Sequence, residues 1–369
     1  HSVKLKERYC TEFLLSGNNM DLKKIESKAK KMGSSLIIAG SSSLARIHVH
    51  TDTPAKLLSE LREFGTPTQQ KVDDMQRQND MLAGDHPNIA IVTDSACDLP
   101  QQFMDKYGIH MVPLSVEFED EIYLDKFTIE PEQFNQMLEE KEESPTSSGP
   151  SISQFVELYE TISEHYDSII SLHISKELSA TYSTAKAAAR QLEGKDISVI
   201  NTKQVSTSFG LVVKEVAKKI WDGASYGEAR RYAEEISEKS KILVSVKDLK
   251  YMIRGGRVSP MKSLFARLFN VKPVISLDEK GKSILYGKPI SFQGSLNKMI
   301  SLIRQTKEKG ELLNYCIGHT HNEKTAEEVK QQLEEITGQP PEYLMDISPM
   351  ISAHAGKGAV SVAFLRNKN

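Results

Sequence analysis

Cysteine is scarce in this sequence. Its 369 residues include three cysteines, Cys10, Cys97 and Cys316, which are odd in number and far apart. A small secreted domain held by disulfides would carry more cysteines in a denser pattern. We therefore expect no disulfide framework, and we expect the chain to work in a reducing compartment, the cytoplasm.

Long apolar runs and an excess of positive charge are missing as well. No segment approaches the ~18 apolar residues of a transmembrane helix, and the first residues, HSVKLKER, lack the apolar stretch of a signal peptide. Lys and Arg number 47 and Asp and Glu 50, which gives a net charge of −3. The charge gives no reason to expect nucleic acid or an anionic membrane as a partner.

The remaining composition is that of a globular protein with more than one domain. Apolar residues make up 39% and charged residues 26% of the chain, an ordinary balance. At roughly 100–200 residues per domain, this length predicts two or three domains. We place a first domain at residues 1–80, a linker at 81–88, and two lobes at 89–240 and 241–369.

Apolar periodicity predicts a small α+β domain before the linker. Residues 8–15, 34–40 and 45–52 resemble strands, the second of them buried. Asp21 caps one helix, and Thr53 precedes another whose first residue is proline. The order is strand, helix, strand, strand, helix.

After the linker the fold class changes to α/β. Strands at 88–95, 109–118, 166–175 and 196–203 alternate with helices, which predicts a mostly parallel, doubly wound sheet in the first lobe. A second α/β lobe begins with the strand KILVSV at 241–246.

A candidate metal site lies in the first domain, in the segment RIHVHTD. His48 and His50 are two residues apart on a strand, so their imidazoles leave the same face. Cys10 supplies a thiolate, and one thiolate with two imidazoles is a donor set that Zn²⁺ favours. The fourth ligand is Glu12, Asp52 or water. From spacing alone, two surface histidines on an edge strand are the favoured interpretation, because a histidine pair does not by itself make a closed metal site.

Three polar loops of the first lobe, TDSACDLP (93–100), TSSGPS (146–151) and LSATYSTA (178–185), each precede a helix. Ligands of doubly wound sheets bind beyond the carboxyl ends of the strands, where helix N-termini and hydroxyl groups suit an anion. Ordinary helix capping would select the same residue types. The candidate binding residues are Ser95, Thr146, Ser147, Ser148 and Ser179.

Two glycine-rich segments complete the set of candidates. In YMIRGGRVS the glycines allow close backbone approach, and Arg257 can hold a carboxylate or phosphate through two hydrogen bonds. In SAHAGKG, His354 lies between small residues just before the last strand. A histidine in a glycine-rich loop is more often functional than one in a core, and a hydrogen bond within the loop is the alternative explanation.

The ordered motifs IAIVTDSACDLP, LSATYSTA, MIRGGRVS with NVKPVISLDEKGK, and SAHAGKGAVSVAFL resemble the DegV family of fatty-acid-binding proteins over residues 88–369. Residues 1–80, with YCTEFLL, RIHVHTD and DDMQRQ, resemble the zinc-holding middle domain of bacterial fatty acid kinase. In that family one Cys and two His bind zinc, which selects Cys10, His48 and His50.

The resemblance implies that an acyl chain lies in a tunnel between two lobes, with its carboxylate held by Ser147, Ser148 (or Thr146) and Ser179. Arg257 and His354 would stabilise a phosphoryl group. It also implies a partner kinase domain of the dihydroxyacetone-kinase type that uses Mg-ATP, in cis or in trans. Since the chain starts with His rather than Met, we expect that domain to precede it in a longer protein. A homodimer is left open.

Three positions depart from the family pattern. Ala180 stands in LSAT where the family has Gly, Lys357 stands in HAGKG where Pro is usual, and Gly149 replaces a common Gln. These departures leave two alternatives to a fatty-acid carrier. One is an enzyme on small phosphorylated or carboxylated metabolites that uses Ser179 and His354 chemically, and the other is a regulatory scaffold with an occluded tunnel.

Overall fold

The computed structural model describes residues 3–119, 121–140, 144–256 and 271–367. Within these ranges, no helix is both long enough and apolar enough to cross a membrane. The chain forms an N-terminal domain followed by two lobes, and each lobe is built around its own main sheet.

The N-terminal domain is an antiparallel sheet with its first two helices packed on one face. Phe13, Leu15, Ile47 and Val49 alternate along two strands and are buried together with helix residues, so this face holds the core. The strands are β1 (Tyr9–Ser16), β2 (Ser34–Gly40), β3 (Leu44–Thr51) and β4 (Thr66–Asp74) in the order β2-β3-β1-β4, and the helices are α1 (Leu22–Ala29), α2 (Pro54–Leu61) and α3 (Met75–Leu82).

The helix caps of this domain agree with the prediction from the sequence, but its two edge strands do not. The Asp21 carboxylate accepts hydrogen bonds from the first backbone N–H groups of α1, and Pro54 begins α2, as predicted. The prediction of a buried strand at 34–40 was wrong, since β2 is an edge strand whose Ile37 is 62% exposed. Strand β4 and helix α3 were missed because TPTQQKVDD is polar on both faces, and α3 extends into the expected linker.

The first lobe contains a parallel sheet with the order β11-β10-β5-β6 and a separate antiparallel sheet with the order β8-β7-β9. Core clusters lie on both faces of the parallel sheet, which makes it doubly wound. The strands are β5 (Ile89–Asp94), β6 (His110–Val112), β7 (Ser115–Phe118), β8 (Glu121–Leu124), β9 (Thr146–Ser148), β10 (Ser168–His173) and β11 (Asp196–Asn201). The helices are α4 (Gln101–Lys106), α5 (Pro131–Glu140), α6 (Ile152–Ile162), α7 (Thr181–Ala189), α8 (Ser206–Trp221) and α9 (Tyr226–Lys239).

The strand predicted at 109–118 is two strands in two sheets. Pro113 has no backbone N–H and cannot continue the ladder, so the chain leaves the parallel sheet after Val112. Strand β7 then pairs with β9, which places Ser147 opposite Val116 and Thr146 opposite Glu117. The expected loop at 146–151 therefore begins as a strand. Its register determines the direction in which the serine side chains point.

The second lobe has one six-stranded sheet in the order β14-β13-β12-β17-β15-β16, antiparallel apart from the pair β15–β16. Its strands are β12 (Ser240–Ser245), β13 (Val274–Leu277), β14 (Ser283–Tyr286), β15 (Leu312–His319), β16 (Leu344–Asp346) and β17 (Val360–Arg366). Its helices are α10 (Lys250–Arg254), α11 (Phe292–Glu308), α12 (Glu323–Thr337) and α13 (Pro349–Ala355).

Helix α8 joins the two lobes. Twelve of its 16 residues are buried, and it packs against β5 of the first lobe and β12, β15 and β17 of the second. The largest core cluster accordingly contains residues of both lobes. The lobes therefore form one packed body, and the space between them has fixed walls.

Gly210 in α8 offers a test of this packing. A methyl group at Gly210 would overlap the carbonyl oxygen of Asp98 and lie 2.6 Å from the Tyr343 hydroxyl. Because neither neighbour is a flexible chain end, we expect Gly210→Ala to lower the free energy of unfolding by about 1–3 kcal/mol in urea titrations. Gly227→Ala in α9, where the nearest atom is an Arg231 nitrogen at 3.7 Å, is the matched control and should leave it unchanged or raise it by up to about 1 kcal/mol. Equal effects of the two substitutions would contradict the close packing of α8.

Candidate functional site

The antiparallel register of β1 and β3 brings the predicted metal ligands together. Cys10 lies opposite His50, and His48 lies two residues further along the same face. The Cys10 Sγ atom is 3.7 Å from His48 Nδ1, and the two imidazole centroids are 5.1 Å apart. One ligand atom from each of the three residues lies within 4.8 Å of the others. The cluster is on the sheet face that the helices leave open.

Carboxylates stand next to this cluster. Glu12 Oε1 lies 3.0 Å from His48 Nδ1, whereas Asp52 instead accepts a hydrogen bond from the Arg8 backbone N–H at 2.8 Å. Asp73 on β4 lies opposite Cys10, a neighbour that sequence analysis missed because β4 was missed. Burial first, and then the negative charges of Asp73 and Glu12, raise the pKa of the Cys10 thiol. A divalent cation would reverse that effect, so the donor set fits a metal.

The second site is a cavity between the lobes, with an empty volume of about 960 Å³ that includes its open mouth. Its wall crosses the sheet of the second lobe from β14 to β15, four strand spacings or roughly 19 Å. Helix α13 and the start of α8 close the sides. The apolar lining residues are Leu114, Ile174, Leu178, Val205, Ile242, Val244, Met252, Ile275, Leu277, Ile347, Met350, Ile351, Ala355 and Ala359.

A polar group of side chains interrupts this apolar lining. Ser147 Oγ and His354 Nε2 share a hydrogen bond of 2.9 Å that joins the first lobe to the second. Ser179, beside them in the lining, lies 2.8 Å from Thr181 between their hydroxyl oxygens and accepts the Thr181 backbone N–H. Ser148 donates to the Glu117 carboxylate at 2.7 Å. The cavity therefore combines a long apolar wall with a small set of hydroxyl and imidazole groups.

Gly255, the first glycine of the RGG segment, lies against His354. A methyl group at Gly255 would overlap His354 Nδ1, so glycine is required for the imidazole to reach Ser147. Arg254 donates a hydrogen bond of 2.8 Å to the Ser144 hydroxyl and forms a second link between the lobes. Arg257, the predicted phosphoryl-stabilising residue, lies outside the described residues.

Two predicted binding residues are not brought to the cavity. Ser95 is fully buried, and its hydroxyl oxygen accepts the Leu114 backbone N–H at 3.0 Å. Thr146 is exposed, with its hydroxyl 3.4 Å from Glu117. Both belong to the expected loops, but the turn after β5 is held inside the lobe and the alternation of β9 turns Thr146 away from Ser147.

Two of the three departures from the family pattern lie outside the cavity lining. Ala180 is exposed at the start of α7, and Lys357 forms an ion pair with Glu139 of α5 at the surface. Gly149 does line the cavity, and a methyl group there would lie 3.2 Å from the Thr181 hydroxyl. Ala180 and Lys357 therefore give no support to a small-metabolite enzyme, and the open cavity gives none to an occluded scaffold.

Sequence analysis missed several polar residues of the site. Glu117 and Thr181 hold the predicted serines, and His319 borders the cavity at the end of β15. His319 carries the same signal as the predicted loops, a polar residue at the carboxyl end of an apolar strand. The partners of the serines had no such signal, since their contacts depend on tertiary structure.

Comparison with known proteins assigns both parts of the chain. Residues 88–367 match the family model described as "Uncharacterised protein, DegV family", and residues 6–82 match the "FakA-like" model, which describes the middle domain of proteins that resemble a fatty acid kinase subunit. Protein DegV of Bacillus subtilis is 29% identical over 281 residues, which cover 75% of this chain and 99% of that protein.

Solved structures agree with this assignment. The structure of DegV, a fatty acid binding protein from Bacillus subtilis, is 27% identical with a TM-score of 0.71, covering 76% of this chain and 100% of its own. A DegV family protein from Thermus thermophilus, described by its fatty acid binding, is 28% identical with a TM-score of 0.69 and covers 76% of this chain and 99% of its own.

Proposed function

Since the chain belongs to the DegV family, we propose that its two lobes bind one fatty acid in the cavity between them. The observation that carries this proposal is the lining: a long apolar wall interrupted by the group Ser147, Ser179 and His354. Family relatives with solved structures are described as fatty acid binding proteins. The acyl chain would lie along the wall, and the carboxylate would lie at that polar group.

The energetics of this arrangement favour a long acyl chain. Each methylene removed from water contributes roughly 0.8 kcal/mol, so affinity rises with chain length until the wall is filled. The carboxylate then needs donors, because an ionised group buried without partners is costly. Ser147 and Ser179 hydroxyls can rotate their protons towards it, and His354 can accept or donate at Nε2.

Affinity measurements on delipidated protein test the carboxylate contacts. We expect Ser147→Ala and His354→Ala each to weaken binding of a long-chain fatty acid by roughly tenfold to a hundredfold, since each removes a hydrogen bond to a charged group. Ser183→Ala, at an exposed position of α7, is the matched control and should bind like the wild type. Unchanged affinity in both cavity variants would place the carboxylate elsewhere.

We further propose that Cys10, His48 and His50 hold a structural Zn²⁺, with Glu12, Asp73 or water as the fourth ligand. The support is the convergence of the three ligand atoms on one sheet face. The domain is small, and small domains gain most from such a crosslink. The ion would pin β1 to β3 on the face that carries no helix.

We also propose that the N-terminal domain links the two lobes to a kinase domain, in cis or in trans. Its support is the match of residues 6–82 to a middle domain of the fatty acid kinase type. This domain is fixed to the first lobe by Arg62 with Glu121 and by Arg8 with Asp105, each through two hydrogen bonds. A kinase domain attached to it would therefore have a fixed orientation relative to the mouth of the cavity.

The kinase would supply Mg-ATP, whose γ-phosphoryl group passes to a carboxylate oxygen of the bound acid while ADP leaves. In this chain, Ser147 and His354 would bind the carboxylate and hold that oxygen in position for the transfer. Mixing lipid-loaded protein with the fatty acid kinase domain, ATP and Mg²⁺ should yield acyl phosphate, detected as a hydroxamate with hydroxylamine. Acyl phosphate formed equally well from free fatty acid without this protein would contradict presentation.

A further inference from the structure

The hydroxyl groups on the cavity wall away from Ser147 are already engaged by the protein. Ser206 donates to the Asp98 carboxylate at 2.7 Å, and Ser276 donates to the Ile242 carbonyl at 2.6 Å. Ser361 makes a longer bond of 3.4 Å to the Gly318 carbonyl. These serines donate their protons to protein acceptors, so they have no O–H group left to donate to an oxygen atom of a ligand.

His319 differs from these serines in its hydrogen bonding. It is 6% exposed, ends β15 and borders the cavity. Its Nδ1 accepts the Asn322 backbone N–H at 3.3 Å. A neutral imidazole has one accepting and one donating nitrogen, so the proton lies on Nε2. In the described part of the chain, the hydrogen bond at Nδ1 is the one that this ring makes, and Nε2–H keeps its donor capacity.

The surroundings keep this ring neutral and fixed. Burial lowers the pKa of His319 and outweighs the negative charge of Asp346, 3.6 Å from Nδ1, which raises it. The His319 carbonyl accepts the Ile347 backbone N–H at 2.9 Å, which anchors it at the start of α13. His354 lies in the last turn of that helix, so the two imidazoles meet the cavity at different points along α13.

We propose that His319 is a second polar contact of the cavity, which donates a hydrogen bond from Nε2 to an oxygen carried along the acyl chain. This inference rests on the proposed fatty-acid function and names its substrate class: hydroxy or oxo fatty acids are preferred over unsubstituted ones. A buried donor that meets only methylenes loses its bond to water without replacement, whereas an oxygen at that point restores it. Sites built to bond a substrate oxygen reject the analogue that lacks it.

The test uses the delipidated full chain and a set of saturated fatty acids of one length, unsubstituted or with a single hydroxyl or oxo group at successive positions. We expect the wild type to bind one of the oxygenated acids about tenfold more tightly than the unsubstituted acid. His319→Phe keeps a ring without the donor and should abolish that preference, with the unsubstituted acid bound at least as tightly as by the wild type, because no donor is then left unpaired. His319→Gln, whose amide places an N–H near Nε2, should retain part of the preference.

The outcomes separate this inference from the proposed function. Binding of the unsubstituted acid with no preference for any oxygenated acid overturns the role of His319 and leaves the fatty-acid function standing. Equal weakening of all acids in His319→Phe, with His319→Gln like the wild type, also overturns it, because the donor would then serve the carboxylate. Failure of every acid to bind overturns the fatty-acid function itself.

Discussion

Replacing Cys10 by Ser is expected to remove the bound metal from the N-terminal domain. Cys10 supplies the single thiolate of a cluster whose other members are two imidazoles, and a hydroxyl is a far weaker ligand for Zn²⁺. Metal analysis should therefore find about one zinc per chain in the wild type and nearly none in Cys10→Ser. His165→Ala, which removes an exposed histidine of the first lobe, should leave the zinc content unchanged.

The Cys10→Ser variant also tests whether the metal stabilises the N-terminal domain. The core of this domain is small, eleven buried apolar residues, so we expect chelation to lower its thermal stability in the wild type and to have no further effect in Cys10→Ser. Limited proteolysis can follow this domain separately from the lobes. Zinc contents that are equal in wild type and Cys10→Ser would exclude the assignment of the ligands.

Filling the cavity is expected to abolish lipid binding without unfolding the lobes. Val205 precedes α8, is only half-buried, and borders the cavity. An indole at this position would occupy space that the acyl chain needs, and we expect Val205→Trp to reduce the bound fatty acid at least about tenfold, because most of the buried methylene area is lost. The measurement is the lipid content of the purified variant, together with its affinity after delipidation.

A matched substitution controls for the indole itself. Ile152→Trp puts tryptophan at a 41% exposed position of α6 that does not line the cavity, and it should keep wild-type lipid content. Thermal unfolding of both variants shows whether the lobes remain folded. Wild-type lipid content in a folded Val205→Trp would place the lipid outside this cavity.

Local signals made much of the fold predictable. Asp21 and Pro54 are at helix starts because capping and a fixed φ angle are properties of the residue itself. Alternation along β3 predicted that His48 and His50 share a face, whereas the position of Cys10 opposite His50 depends on the register of β1 with β3. The parallel strands of the first lobe were apparent because a strand buried on both faces is apolar throughout.

Features that depend on distant partners were not predictable. Strand β4 is polar, and it forms because its backbone pairs with that of β1. Pro113 could have signalled the break between β6 and β7, but nothing local shows that the chain then joins another sheet. Ser95 has the same local pattern as Ser179, and only the packing around Leu114 removes it from the cavity.

The central claim is that the cavity holds a fatty acid, and mass spectrometry of an organic extract of the purified protein tests it most directly. Our account predicts a long-chain acid at about one per chain, since each buried methylene adds roughly 0.8 kcal/mol to its retention, and predicts its loss from Val205→Trp. An extract without acyl lipid, from protein that also fails to bind added fatty acid, would contradict the account.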